Sequence, residues 1–386
     1  MERIYFDHAA TTPVRKEVLE AMIPYFSDKF GNASSLYYEG VDASEAVEEA
    51  RNSVAKLIGA DESEIYFTSS GTESDNMAIK GVALALRDKG KHIIVSSIEH
   101  HAVLNAALSL RKLGYEITIL PVDEKGFVNP DDVKKNIKND TILVSIMLAN
   151  NEIGTIEPIE EVSKITKERG VYLHTDAVQA VGNYPVNVDS LGCDLLSLSA
   201  HKFYGPKGVG AIYIRKGTRI MPLMDGGGHE KGKRSGTYNT PGIVGLGKAS
   251  VLAISELESR INQTTKLRDK IIDGIISEIP YIILNGDREK RLPGNANFSI
   301  KYIEGESLIL SLDAEGFAVS TGSACSSHSL KISHVLNAIG LDPVDAQGSL
   351  RVTVGLDNTE EEVDKFLEIL PKVVLKLRRM SPLYKE

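Results

Sequence analysis

The 386-residue sequence has no tryptophan, only two cysteines and no run of 18 apolar residues. The missing apolar run excludes a membrane-spanning helix. Cys193 and Cys325 lie far apart and form no Cys-x-x-Cys pair. That excludes a disulfide framework or a zinc ribbon within one chain, and no resident metal is expected. A reduced cytosol, hence a cytoplasmic protein, is the simplest expectation. Basic excess is also missing: 44 Lys and Arg face 53 Asp and Glu, for a net charge of −9. This argues against a nucleic-acid binder that works through a basic surface. Glycine (33) and proline (14) are too few for low-complexity sequence. The N-terminal MERIYFDHAATTP lacks a basic segment followed by an apolar one, so no secretory signal is read. No repeat of 20–50 residues is visible. What is present is 42% hydrophobic and 25% charged residues, enough for a large core over two or three domains.

Short apolar runs alternate with amphipathic stretches from about residue 65 to 214. Strands are expected at 64–68, 92–96, 116–120, 141–147, 171–175, 195–197 and 211–214, with helices at 74–87, 102–112 and 159–169. This order predicts an α/β fold with a largely parallel seven-stranded sheet covered on both faces. Its ligands would bind at the carboxyl ends of the strands. Residues 242–278 read as one helix bridging two domains. A smaller α/β pattern follows, with strands at 296–301, 318–320 and 351–354 and helices at 306–314 and 360–379. The expected division is a large domain, 13–260, and a small one, 1–12 with 261–386.

Four motifs carry chemistry. Phe67-Thr-Ser-Ser-Gly-Thr-Glu-Ser-Asp75 is a strand, a hydroxyl- and glycine-rich turn and a helix start. Such a turn suits a phosphate, or is an ordinary N-cap on Ser70 or Thr72. In Leu173-His-Thr-Asp176-Ala-Val-Gln179 a carboxylate ends an apolar strand, able to pair with a protonated ring nitrogen or to cap the next helix. In Ser199-Ala-His201-Lys202-Phe-Tyr-Gly-Pro-Lys207 a lysine follows a strand among small residues, a setting that makes an amine a Schiff-base former. Lys207, in the turn, reads as more exposed. In Ser320-Thr-Gly-Ser-Ala-Cys325-Ser-Ser-His328-Ser329 a thiol sits among hydroxyl and small residues, which fits a reactive cysteine in a loop. His328 is either its base or a solvated histidine. Cys193, in an apolar stretch, reads as a structural thiol.

Taken in order, these motifs resemble those of fold-type I enzymes that use pyridoxal 5′-phosphate (PLP), and more closely the NifS/IscS-type cysteine desulfurases of the class-V aminotransferase family. Phe6-Asp-His-Ala-Ala-Thr-Thr12, Glu99-His100, Asn150-Asn-Glu-Ile-Gly154, Gly226-Gly-Gly-His-Glu230, Arg234-Ser-Gly-Thr237 and Ser349-Leu-Arg351 agree, so the resemblance spans about residues 4–376. It implies that Lys202 holds PLP covalently, that His100 stacks on its ring and serves catalysis, and that Asp176 pairs with the ring nitrogen. Gln179 would bond the phenolic oxygen. Gly71, Thr72, Ser199 and His201 would hold the phosphate, joined by Thr237 from the other subunit of a homodimer. Asn151 and Arg351 would orient the L-cysteine carboxylate. Cys325 would take the sulfur as a persulfide and pass it to an iron–sulfur scaffold protein, a tRNA-thiolation protein or another acceptor, with transient iron–sulfur ligation as its one metal role. The resemblance leaves open a selenocysteine lyase or another PLP lyase on this fold. A non-catalytic assembly protein is disfavoured by the retained Lys202 and Asp176. His8, Ala33 and Tyr37 depart from the residues common in the family, at positions near the expected substrate mouth.

Overall fold

The computed structural model describes residues 3–322 and 332–384. Cys325, His328 and the rest of the 323–329 motif lie outside the described residues. The strands in chain order are β1 (Ile4–Tyr5), β2 (Ile65–Thr68), β3 (His92–Ser96), β4 (Glu116–Leu120), β5 (Thr141–Ser145), β6 (Tyr172–Asp176), β7 (Leu195–Ser199), β8 (Gly210–Ile214), β9 (Ile282–Leu284), β10 (Asn295–Ile300), β11 (Phe317–Ala318) and β12 (Ser349–Thr353).

Seven strands form one sheet in the order β2-β8-β7-β6-β5-β3-β4. The five strands from β3 to β7 run parallel, while β8 is antiparallel to both β7 and β2. β3, β5, β7 and β8 are buried along their whole length, as strands covered on both faces must be. β4, at the edge, exposes Glu116 and Ile119. Alternate residues serve opposite faces. Ile93 and Val95 pack under the helices Gly71–Ala85 and His101–Ser109, while Ile94 packs on the other face with Val144 and Leu196.

The helix Thr240–Glu278 runs for 39 residues. Its first half puts Ile243, Leu246 and Ala249 into the sheet's core, and its second half puts Leu267, Ile271 and Ile275 into another core. That second core packs β10, paired antiparallel with β9 and β12, against the helices Gly305–Ala314 and Glu360–Met380. β1 pairs with β11, and Phe6 stacks edge-on against Phe366 at 5.5 Å, so the first residues join this second core.

The expected strands and helices are present, with ends shifted by a few residues. Several elements escaped the pattern, two of them instructive. Half of the residues the helix Tyr38–Ile58 buries are small, Gly40, Ala43, Ala46, Ala50 and Ala55, so its apolar stripe is faint in sequence. It is small because the backbones approach closely: a Cβ on Gly247 would lie 2.6 Å from the Ala50 Cα. β9 is three half-buried residues, too short to register as a period.

Candidate active site

The parallel strands end on one rim of the sheet, where the singled-out residues collect. β2 leads into the turn before the helix Gly71–Ala85. Ser70 is its N-cap, accepting from the Glu73 N–H at 3.2 Å. The first N–H groups of a helix have no intrahelical acceptor, and the local dipole favours an anion. Gly71 makes this end fit. A Cβ there would lie 2.6 Å from Val178 Cγ2 and 3.6 Å from the Ser199 Cβ. Lacking one, the helix N-terminus abuts the ends of β6 and β7. Glu73 braces the turn by accepting from the Ser69 N–H at 2.7 Å and from Arg234 at 2.8 Å.

Asp176 is the last residue of β6 and is buried. Its Oδ1 accepts from the Val178 N–H at 2.9 Å, so the carboxyl holds a turn and caps no helix. Burial pushes it up to about 6, against the pull of that bond and of the Lys202 charge. Beneath it lies a residue for which sequence reasoning had no role. Asp75, one turn along the helix from Gly71, brings a carboxyl oxygen within 4.8 Å of both Asp176 and a His100 ring nitrogen. Burial and the neighbouring Asp176 raise its carboxyl well above the ordinary range. His174, 3.7 Å from Asp75, is hydrogen-bonded to Ser145 at 2.8 Å and Ser197 at 3.0 Å. Burial pushes it down to about 3, so it is neutral. Glu99, also raised by burial, accepts from the Met147 N–H at 2.8 Å. Asp75, Glu99 and His174 all stand inside motifs the sequence displayed. Their burial under the site was the missing information.

His100 caps the helix His101–Ser109, its Nδ1 accepting from the Ala102 N–H at 3.1 Å. Burial and the Lys202 charge push it down to about 4. A neutral imidazole with Nδ1 as acceptor carries its proton on Nε2.

Lys202 follows β7 by one short turn. Its Nζ donates to the Ala9 carbonyl at 2.6 Å and the Ala10 carbonyl at 2.8 Å. Lys207 is exposed. The Ala9 carbonyl also accepts from Gln179 Nε2 at 3.0 Å, which sets that amide beside the amine. His201 meets the Thr11 hydroxyl at 3.1 Å, and the Thr12 hydroxyl donates to the His201 carbonyl at 3.0 Å. Burial and the charges of Lys202 and Lys207 push His201 down to about 4. Residues 9–12 therefore wrap the lysine. A half-open cleft lies beside it, lined by His8, Gln179, Tyr204, Arg260 and Asn295 among others.

Arg351 reaches the site from β12. Its guanidinium donates to Asp7 Oδ1 at 2.7 Å, to the Asn151 carbonyl at 2.9 Å and to the Gly322 carbonyl at 3.5 Å. Its Nε is buried and has no partner among the described residues. Ser333 donates to Glu152 at 2.6 Å, and His334 bonds the Glu99 carbonyl at 2.9 Å. The described residues flanking the Cys325 segment are thus both anchored at this rim. Thr72 and Thr237 are exposed. Cys193 is buried in the sheet's core, and burial pushes its thiol up to about 12.

Comparison with known proteins identifies this arrangement. The aminotransferase class-V family matches residues 4–366. A cysteine desulfurase IscS from Dictyoglomus turgidum is 60% identical over 99% of this chain and 97% of its own length. One from Methanosarcina thermophila is 57% identical over 98% and 94%. Among solved structures, a NifS-like protein superposes with a TM-score of 0.91 at 42% identity, covering 97% of this chain and all of its own. The protein SspA, solved in complex with cysteine, superposes at 0.82 with 37% identity, covering 91% and 98%. With Lys202, Asp176 and the Gly71 turn on one rim of the sheet, the chain belongs to the class-V aminotransferase family, among its PLP-dependent cysteine desulfurases.

Proposed function

We propose that this chain removes sulfur from L-cysteine, giving L-alanine and a persulfide on Cys325. The observation that carries the reading is the convergence at Gly71. The anion-binding end of one helix, the Asp176 carboxyl and the strand leading to Lys202 meet only because no Cβ intervenes. The residues fit PLP. The Gly71 and Thr72 N–H groups with Ser199 and His201 suit its phosphate. Asp176 would pair with the ring nitrogen, Gln179 would bond the phenolic oxygen, His100 would stack on the ring, and Lys202 would supply the amine. The Asp75–His100–Asp176 donors would also suit a small cation, but family membership favours the protonated ring nitrogen.

PLP supplies an electron sink for the substrate carbons. The chain's residues do the rest. Asp176, fixed by the Val178 N–H, would keep the ring nitrogen protonated. Arg351 and Asn151 orient the substrate carboxylate, a guanidinium giving two parallel bonds where an ammonium gives one. The Lys202 amine would move a proton at the substrate Cα. His100 holds a proton at Nε2, in place to pass to a departing group. The Cys325 thiolate then attacks the substrate sulfur. A sulfur–sulfur bond forms, the substrate Cβ–S bond breaks with its electrons left on carbon, and protonation releases alanine.

The dimer belongs to the same reading. Leu36, Tyr38, Phe30 and Phe26 are 97%, 81%, 72% and 66% exposed. Apolar surface of this kind on one stretch of chain marks an interface. Thr237, exposed just before the helix Thr240–Glu278, is the residue offered to the partner's phosphate. The large and small domains divide near residue 260, within that helix. The acceptor is an iron–sulfur scaffold or another thiolation protein, in a reducing cytoplasm. His8 is buried and lines the cleft beside Lys202, and Tyr37 is exposed within the interface stretch.

Borohydride reduction followed by peptide mapping is expected to place the cofactor on Lys202, and a label on Lys207 would refute that assignment. After incubation with cysteine, mass spectrometry should find one added sulfur on the Cys325 peptide, with none on Cys193. Full turnover by Cys325→Ser would overturn the sulfur path.

A further inference from the structure

Asp75 sits where two carboxyls must share one charge. Its side chain and that of Asp176 are both buried, with oxygens within 4.8 Å of each other. Glu99 adds a third acid to the same pocket, and His100 and His174 face it as neutral rings. Like charges at this separation inside a protein cannot both persist without a compensating cation. The two acids are not equivalent. Asp176 has the Val178 N–H bond and the field of Lys202. Asp75 has Ser197 and the imidazole of His174 at 3.7 Å, and its Oδ1 has no hydrogen-bond partner among the described residues. Asp176 is therefore the carboxylate better placed to carry the charge.

We propose that Asp75 is a positioning residue that stays protonated at neutral pH, so that the single negative charge of the buried pair rests on Asp176. A neutral acid below Asp176 lets that carboxylate remain ionised while buried, and fills the space that fixes its orientation. An ionised Asp75 would drive a proton onto Asp176 and deprive the ring nitrogen of its counter-charge. The inference rests on the placement of PLP proposed above, and the reduction mapping at Lys202 tests that placement separately.

The test uses the holoenzyme, with Asp75→Asn as the neutral isostere and Asp75→Leu as the variant that removes the polar group. In the infrared difference between wild type and Asp75→Asn at neutral pH, the expected loss is a protonated carboxylic-acid carbonyl band. Loss of a carboxylate band instead overturns the proposal. The pH dependence of the bound cofactor's visible absorption supplies the second readout. Asp75→Asn is expected to keep the wild-type midpoint, and Asp75→Leu to move it by about one unit or more. A shifted midpoint in Asp75→Asn, or an unshifted one in Asp75→Leu, refutes the positioning role. Should Asp75→Leu fail to fold, the infrared result and the Asp75→Asn midpoint still decide.

Discussion

Replacing Gly71 by alanine tests the convergence on which the site depends. The new Cβ would meet Val178 Cγ2 at 2.6 Å. Carbon atoms rest about 3.5–4.0 Å apart, so roughly 1 Å of separation must be found. Valine is stiff about its first side-chain torsion. Hence either the helix end or the turn carrying Val178 has to move, and the Val178 N–H is the group that holds Asp176. Overpacking of this kind costs about 1–3 kcal/mol. Helix propensity works the other way, favouring alanine over glycine by up to about 1 kcal/mol in a helix interior and by less at a helix end. The clash therefore wins. If the strain opposes cofactor binding in full, the Kd for PLP rises about 5- to 150-fold, since 1.4 kcal/mol is tenfold. Titrating PLP into the apoprotein and following visible absorption measures this. Gly71→Ala combined with Val178→Ala removes Cγ2 and should recover most of the lost affinity, which makes the pair a double-mutant cycle. Affinity in Gly71→Ala within about twofold of wild type, or no recovery in the double variant, would show that the contact does not shape the site.

Three further outcomes are expected. Arg351→Lys should raise KM about 10- to 100-fold with a smaller effect on kcat, because an ammonium cannot hold Asp7, the Asn151 carbonyl and a substrate carboxylate together; steady-state kinetics that show kcat alone falling would contradict this. Burial pushes Glu157 up to about 8 from an ordinary value of 4.5. The folded state thus binds more protons than the unfolded one between those values, and wild-type stability falls as pH rises through that window. Glu157→Gln should therefore gain stability over wild type between pH 5 and pH 8, by a few kcal/mol, and urea midpoints that keep a constant difference across that range would count against it. Cys193, with its thiol pushed up to about 12, should resist alkylation in the native protein and react only on unfolding; Cys193→Ser should cost on the order of 1–3 kcal/mol of stability and spare turnover, and mapping of alkylated peptides checks the first claim directly.

Much of this architecture is legible along the chain because local rules write it there. The buried strands β3, β5, β7 and β8 are continuous apolar runs, and the turn after β2 shows its cap and glycine in order. The residues proposed for the reaction stand in compact motifs, so the family resemblance names Lys202, Asp176 and Arg351 without coordinates. The faint elements are those whose signal is not periodic. The helix Tyr38–Ile58 packs through alanines against Gly247, and a stripe of small residues has little hydrophobic contrast. What only the tertiary structure decides is which distant residues share a dielectric. Asp75 and Asp176 are 101 residues apart, on different elements, and neither sequence neighbourhood reveals two acids in one pocket. The same holds for Arg351 with Asp7 and for Lys202 with the Ala9 and Ala10 carbonyls, contacts that join the chain's first residues to its middle and end. Side-chain type and spacing are properties of the chain, so the sequence determines them. Protonation and orientation depend on burial and on the nearest charge, and those exist only once the chain has closed on itself.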